Sequence, residues 1–217
     1  MVRDLKQLSD IARGENPGLP LVLIGHSMGS LLAQQYVQHW GEDLRGVVLS
    51  GSFGSLPDLD QVLELVEPLG RGGDADEPSH AFAAMFASFN QPFGGDTGFE
   101  WLSRDAEEVR RYVDDPYCGF PFSNRLVADQ LRGAAEIWKA ENEMRIPHGL
   151  PVLVISGDRD PVGGPEMSSL HFLVARYRAR GLEVTAVLYP DARHELFNET
   201  NRERVQADLL AWLRAVW

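Results

Sequence analysis

Four short runs of apolar residues recur along the chain without polar alternation, which is typical of strands covered on both faces of a sheet. They lie at residues 20–24, 46–50, 151–157 and 184–190. Apolar residues at helical spacing predict helices at residues 4–13, 28–40, 167–180 and 200–216. Strands that alternate with helices predict a parallel sheet with right-handed crossovers, which is an α/β architecture.

The pattern changes between the second and third predicted strands, where glycine and aromatic residues crowd together. This stretch is too long for an ordinary connection, so we interpret residues 52–146 as an inserted helical cap and residues 1–51 and 147–217 as the core. The aromatic side chains of the cap either pack it onto the sheet or line a substrate cleft. The candidates for substrate contact are Phe86, Phe89, Phe93 and Phe120.

The 217 residues carry a formal net charge of -12, with acidic and basic residues mixed along the chain. This charge argues against nucleic acid and anionic membrane surfaces as partners. No apolar run is long enough to cross a bilayer and no signal peptide is visible, so we expect a cytoplasmic protein without a membrane span. The single cysteine, Cys118, excludes an internal disulfide, and we interpret it as a packed thiol rather than a nucleophile.

The pentapeptide GHSMG, residues 25–29, lies where a predicted strand gives way to a predicted helix. It matches the GxSxG nucleophile elbow, a sharp turn that holds a strained serine with its hydroxyl exposed above the sheet. Ser27 is therefore the candidate nucleophile. We expect Gly25 and Gly29 to be needed because side chains would collide where the helix approaches the strand. The Met28 N–H at the helix N-terminus is the candidate oxyanion donor.

A serine hydroxyl needs a base to take its proton and a carboxylate to orient that base. Of the six histidines, His194 follows the last predicted strand, so its loop should emerge at the same sheet edge as Ser27. His26 adjoins Ser27, but its side chain should leave the turn in another direction, and we assign it to substrate binding instead. The loop after the third predicted strand offers Asp158 and Asp160 as the acid.

The order serine, aspartate, histidine along the chain is that of the α/β hydrolases. Five stretches are similar to the monoacylglycerol lipase and lysophospholipase branch of that family, also described as serine aminopeptidase-like: GHSMG, DPYCGFPF, SGDRDPVGG, LYPDARHELFNE and DLLAWL. The resemblance runs over essentially the whole chain. It implies an α/β-hydrolase fold with Asp160 as the acid and His194 as the base, and it implies neither a metal nor a cofactor.

The resemblance also implies features for which this sequence shows no counterpart. Family members begin with several strands before the helix that opens this chain, and an early loop with a histidine-glycine motif supplies a second oxyanion donor. We therefore expect an N-terminally short hydrolase in which the strand near Leu21–Ile24 is left at a sheet edge. A second copy, a rearrangement or an absent N-terminal piece would cover this apolar edge, and a homodimer through it is the partner that we predict.

Together these observations predict a serine hydrolase that cleaves carboxylic esters through a triad of Ser27, Asp160 and His194 and an acyl-enzyme. The aromatic cap favours a lipid-like acyl chain, and the resemblance implies small-molecule substrates such as monoacylglycerol, lysophospholipid or short-chain esters. The alternative is a weakly active or inactive fragment that binds an acyl ligand or pairs with another chain. Peptidase activity would need a carboxylate of the cap near the substrate amine, for which the candidates are Asp96, Glu100 and Asp105.

Overall fold

The computed structural model describes all 217 residues and contains one four-stranded sheet. The strands are β1 (Val22–His26), β2 (Gly46–Ser50), β3 (Pro151–Gly157) and β4 (Glu183–Tyr189), side by side in that order. All four lie where the apolar runs predict strands. Every pair of neighbouring strands is parallel, which confirms the predicted α/β class.

Nine α-helices surround this sheet. Four accompany the strands as predicted: α1 (Val2–Glu15), α2 (Met28–Trp40), α8 (Ser168–Ala179) and α9 (Arg202–Val216). The other five lie between β2 and β3: α3 (Leu59–Arg71), α4 (His80–Asn90), α5 (Ala106–Asp114), α6 (Asn124–Ile137) and α7 (Ala140–Glu143). None of the helices combines the length and the apolar character that a membrane crossing requires.

The register of the sheet brings the ends of its strands together. His26 lies opposite Ser50, and Ser50 lies opposite Ile155 on β3. Because all strands run in the same direction, the loops that follow them emerge along one side, which we call the carboxyl edge. Ser27 follows β1 at this edge, and the loops that carry the predicted acid and base follow β3 and β4.

Each face of the sheet buries an apolar layer. On one face, β2 and β3 pack against α2 and α8, where Tyr36, Leu173 and Tyr177 are fully buried. On the other face, the same strands pack against α9 and the turn before it, where Leu196 and Val205 are fully buried. Burial on both faces is the physical reason that β2 and β3 read as apolar runs without alternation. The expected cover on both faces is incomplete for β1 and β4, because they lie at the edges of the sheet and are only partly buried.

The helices between β2 and β3 form a layer over the carboxyl edge and rest on α2. Gln38 Nε2 of α2 donates to the Ile137 carbonyl at 2.6 Å, and Trp138 Nε1 donates to Gln34 Oε1 at 3.2 Å. Within the layer, α3 and α6 pack against each other. The boundaries of a separate cap at residues 52–146 and of a core at residues 1–51 and 147–217 stay a prediction.

Strand β1 pairs with β2 on one side only, so its other side is a free edge in this structure. Ile24 at the middle of β1 is 46% exposed, and Leu8 and Ile11 on α1 are exposed as well. The expected exposed edge near Leu21–Ile24 is therefore present.

Candidate active site

Ser27 occupies the tight turn between β1 and α2. Its backbone has φ 53° and ψ -121°, a positive φ that a non-glycine residue adopts at a cost. The Ser27 N–H donates to the Ser50 carbonyl at 3.0 Å, and the Ser27 carbonyl accepts from the Ser30 N–H at 2.8 Å and from Ser30 Oγ at 2.6 Å. Both the N–H and the carbonyl of Ser27 are therefore hydrogen-bonded, and these bonds fix the strained conformation.

The two glycines of GHSMG differ in what they tolerate. A Cβ on Gly25 would lie 2.4 Å from the Gly29 carbonyl oxygen and 2.8 Å from Ala33 Cβ, so only glycine fits where strand and helix approach. A Cβ on Gly29 would meet nothing within 4 Å. The expectation of a collision is therefore wrong for Gly29, because its Cα faces open space rather than the strand.

Asp160 and His194 form a buried hydrogen-bonded pair at the carboxyl edge. His194 Nδ1 lies 2.9 Å from Asp160 Oδ2, and both residues are at most 2% exposed. Asp160 Oδ2 also accepts from Ser156 Oγ at 3.1 Å, and Oδ1 accepts from the Val162 N–H at 2.9 Å. Because a carboxylate can only accept, His194 Nδ1 donates and Nε2 is left with the lone pair that a neutral base needs.

The other candidate acid has a different partner. Asp158 is exposed, and its Oδ1 accepts from the Asp191 N–H at 2.7 Å, which fixes the turn after β4. It makes no hydrogen bond to His194. The geometry therefore favours Asp160 over Asp158 as the residue that orients the imidazole.

The surroundings of His194 hold its pKa above the ordinary value of 6.5. Burial is the largest influence and lowers this pKa, but the charge and hydrogen bond of Asp160 and the charge of Glu195 together raise it. The ring lies between two aromatic neighbours, with its centroid 4.6 Å from that of His26 and 5.0 Å from that of Trp101.

Ser27 and His194 share the carboxyl edge but no hydrogen bond joins them. Trp101 of the loop before α5 covers His194, and its carbonyl accepts from the His194 N–H at 3.4 Å. The neighbouring Leu102 carbonyl accepts from the Glu195 N–H at 2.7 Å. Catalytic hydrogen bonds are often loose before substrate is bound. The structure thus shows Asp160 and His194 paired, with Ser27 at the same edge of the sheet but without a hydrogen bond to His194.

Met28 is the first residue of α2, so its N–H has no acceptor within the helix and lies beside Ser27. This position suits a donor to a negatively charged oxygen, because the helix N-terminus also carries partial positive charge.

Two cavities lie near this site, and the smaller one reaches the nucleophile. The Ser27 cavity, about 270 Å³, is lined by Ser27, Met28 and residues of α3, α4 and α6, and sixteen of its nineteen lining residues are hydrophobic. The cap cavity, about 790 Å³, is lined by α4 and residues 94–122 and does not touch the predicted triad. Phe82 and Phe86 line both cavities and form the wall between them.

The predicted substrate contacts fall in different places. Phe86 lines both cavities, Phe89 lines the Ser27 cavity, and Phe120 lines only the cap cavity. Phe93 lines neither, because it packs under the Arg193 guanidinium, 4.4 Å from the ring centroid. His26 also lines neither cavity.

His26 and Glu195 contact each other instead. His26 Nε2 lies 3.1 Å from Glu195 Oε1. Glu199, which is fully buried, is the acid that organises this loop. Its carboxylate accepts from the backbone N–H groups of Arg193, Arg104 and Thr200. Sequence reasoning also gave no role to Trp101, because nothing in the sequence indicates which cap aromatic meets His194.

The fold and this arrangement of strand ends define an α/β hydrolase. The chain matches a carboxyl esterase from Bacillus coagulans, solved in complex with glycerol, with a TM-score of 0.87 and 26% identity over 100% of this chain and 71% of that one. A lipase in its open form matches with a TM-score of 0.82 and 26% identity, over 99% of this chain and 71% of that one.

Residues 1–201 match the family described as serine aminopeptidase, S33, and the chain belongs to that family. It is 26% identical over 220 residues to a monoacylglycerol lipase of Mycolicibacterium smegmatis, covering 98% of this chain and 68% of that protein. It is 26% identical over 208 residues to a monoglyceride lipase of Saccharomyces cerevisiae, covering 90% of this chain and 61% of that protein. The predicted monoacylglycerol lipase branch and the enzyme class of carboxylic ester hydrolase are confirmed by these similarities.

Gly51 offers a test of the position of His194. A Cβ on Gly51 would lie 2.8 Å from His194 Cε1 and 3.1 Å from His26 Cε1. We expect Gly51→Ala to displace the imidazole and lower kcat/KM for p-nitrophenyl butyrate by about a hundredfold.

The matched control is Gly18→Ala. Gly18 also has a positive φ, +83° against +55° for Gly51, but a Cβ there would meet nothing within 4 Å. The control should share the backbone strain and keep its activity. Equal losses in the two variants would show that strain, not displacement of His194, causes the effect.

Proposed function

We propose that this chain hydrolyses carboxylic esters of lipid-like small molecules, with Ser27 as nucleophile, His194 as base and Asp160 as the orienting acid. The observation that carries the proposal is the buried Asp160–His194 pair at the edge where Ser27 is held on its strained turn. Monoacylglycerol, lysophospholipid and short-chain esters are the substrate classes, and the proposed site of action is the cytoplasm.

In the proposed reaction, Ser27 Oγ forms a bond to the ester carbonyl carbon while its proton passes to His194 Nε2. The tetrahedral intermediate collapses, the bond to the leaving alcohol breaks, and the imidazolium returns the proton to that alcohol. Water then attacks the acyl-enzyme with His194 again as base, and the acid is released. Asp160 keeps Nδ1 protonated and stabilises the imidazolium that forms twice in each cycle.

The Met28 N–H is the proposed donor to the oxyanion. Removal of one donor from an oxyanion hole typically lowers turnover by about a hundredfold to a thousandfold.

The Ser27 cavity supports an acyl chain as the bound group. Its wall is almost entirely hydrophobic, so burial of an alkyl chain there would be favourable. A charged or peptide-like group would lose its hydration in the cavity without finding hydrogen-bond partners. The relatives named as monoacylglycerol lipase and monoglyceride lipase point to the same substrate class. Lysophospholipid would share the acyl chain and differ only in the leaving group.

Peptidase activity has less support, because two of the candidate acids are already engaged. Glu100 accepts from the Thr97 N–H, Thr97 Oγ1 and Asn90 Nδ2; burial raises its pKa, but these bonds lower it to about 2. Asp105 accepts from Arg202 Nη1 and from the first N–H groups of α5. Neither carboxylate is free to bind the amine of a peptide substrate.

The second candidate function is a weakly active or inactive fragment that binds an acyl ligand. The observation in its favour is that no hydrogen bond joins Ser27 to His194. The two functions differ in whether Ser27 reacts.

We expect a fluorophosphonate probe to label the protein and the Ser27→Ala variant to lose labelling. Hydrolysis of p-nitrophenyl butyrate and of a monoacylglycerol should fall by at least about a thousandfold in the same variant, because the nucleophile is gone. Ser88→Ala on the exposed face of α4 is the matched control and should behave as the unmodified chain. Labelling that persists in Ser27→Ala contradicts the assigned nucleophile, and a chain that is never labelled supports the fragment function.

The raised pKa of His194 predicts the pH dependence. The base acts in its neutral form, so kcat/KM should fall as the pH falls through a pKa above 6.5. Replacing Asp160 with Asn removes the main influence that raises this pKa. We expect the fall of kcat/KM at low pH to move to lower pH and kcat to fall by about ten-thousandfold. Asp158→Asn is the control, and a similar loss there would reverse the choice of acid.

The free edge of β1 supports the predicted homodimer, since an apolar strand edge offers unpaired N–H and C=O groups to a second chain. We expect sedimentation velocity to detect a dimer that dissociates in Ile24→Lys, because a charged side chain on an edge strand opposes pairing. Leu210→Lys, which places lysine at an exposed position of α9, should leave the dimer intact. A monomer at high concentration would contradict the pairing.

A further inference from the structure

A second pair of histidine and carboxylate lies against the first. His26 directly precedes Ser27, and Glu195 directly follows His194; His26 Nε2 lies 3.1 Å from Glu195 Oε1. Because a carboxylate only accepts, His26 Nε2 is the donor. The other ring nitrogen, Nδ1, lies 3.4 Å from Ser50 Oγ. One hydrogen bond therefore joins the residue before the nucleophile to the residue after the base.

The two imidazole rings are packed together at the carboxyl edge. Their centroids are 4.6 Å apart, and Gly51 leaves no room for a side chain beside either ring. Trp101 covers His194 as well, with ring centroids 5.0 Å apart. The position of the His26 ring therefore limits where the His194 ring can lie.

Glu195 is an anion with no arginine or lysine partner. His26 is the one basic side chain within 4 Å of its carboxylate, and the Glu195 side chain is 27% exposed. Burial is the largest influence and raises the pKa of Glu195, but the hydrogen bond and charge of His26 and the charge of His194 lower it below the ordinary value. The other titratable groups that face Glu195 are Asp160 at the end of β3 and, from the cap, Tyr112 and Cys118.

We infer that His26 and Glu195 are positioning residues for the ester hydrolysis proposed above, joining the Ser27 turn to the His194 loop through their hydrogen bond. This inference rests on the proposed function and adds two groups to it. No other side-chain hydrogen bond connects β1 to the loop after β4, so this bond adds a direct link between the strand of Ser27 and the loop of His194 to the positions that the sheet and the Asp160 hydrogen bond already fix. Glu195 also places a second negative charge beside the imidazolium that forms when His194 takes the serine proton, in addition to Asp160.

This assignment accounts for two features that substrate contact does not. His26 lines neither cavity, so a direct contact with an acyl chain is not its role in this structure. Glu195 is held within the site without contributing to the turn that Glu199 organises.

Two replacements of Glu195 separate its charge from its hydrogen bond. Glu195→Gln keeps an acceptor for His26 but removes the charge, so we expect the acid limb of kcat/KM for p-nitrophenyl butyrate to move to lower pH with most of the plateau kcat retained. Glu195→Ala removes both and should lower kcat by about a hundredfold, because the nucleophile and base are no longer held in position. Glu203→Gln, an exposed charge on α9, is the control and should leave the profile unchanged.

The hydrogen bond between His26 and Glu195 is tested by combining Glu195→Ala with His26→Ala. If the two residues act through one hydrogen bond, the double variant should lose no more activity than the more affected single variant. Multiplied losses would show that the two side chains act separately. Thermal unfolding of each variant identifies any that fails to fold. In that case the pH profile of Glu195→Gln, the most conservative change, decides the inference alone.

A titration that needs no activity distinguishes this inference from the proposed function. In the Ser27→Ala background, the imidazole nitrogens of His194 are followed by NMR and assigned through their absence in His194→Asn. We expect Glu195→Gln to lower the pKa of His194. An unchanged pKa together with an unchanged pH profile overturns the inference, even where the unmodified chain reacts with fluorophosphonate. A chain that never reacts overturns the hydrolase function, while the titration still decides whether Glu195 acts on His194.

Discussion

The hydrogen bond between Asp160 and His194 is the interaction on which the rest of the site depends. Burying a carboxylate away from water is costly unless its oxygens find donors, and here the Asp160 carboxylate accepts from His194, Ser156 and the Val162 N–H. That arrangement is available only because β3 ends beside the loop after β4. The parallel register therefore decides both the stability of the buried pair and the tautomer of the base.

The layer of helices over the carboxyl edge acts on the site in two ways. Its aromatic side chains Phe86 and Phe89 pack on Trp101, and Trp101 packs on His194, so a continuous row of rings leads from the Ser27 cavity to the imidazole. The backbone of Trp101 and Leu102 also bonds to the loop of the base. Movement of this layer would change the access of substrate and the position of His194 together, because the same residues serve both.

Much of this could be predicted from sequence because the signals are local. Apolar runs predicted all four strands, and the junction between the first of these runs and the next predicted helix indicated Ser27. Side-chain direction is not local, however. Asp158 and Asp160 lie on one loop, and only the path of that loop decides which of them meets His194. Phe93 was assigned to substrate but packs under Arg193. Glu195 contacts His26 on β1, far away along the chain. The same limit applies to Gly29. Whether a side chain fits there depends on where its Cα points relative to β1, which the spacing of residues does not encode.

The positive φ of Ser27 has a consequence for how this sequence can vary. A strained residue of this kind costs on the order of 1–3 kcal/mol, which the hydrogen bonds to Ser50 and Ser30 must offset. Glycine at position 27 would relieve the strain, so the most stable version of this turn is one without a hydroxyl. Stability alone therefore favours glycine at this position, and a serine here lowers the stability of the turn in exchange for a hydroxyl.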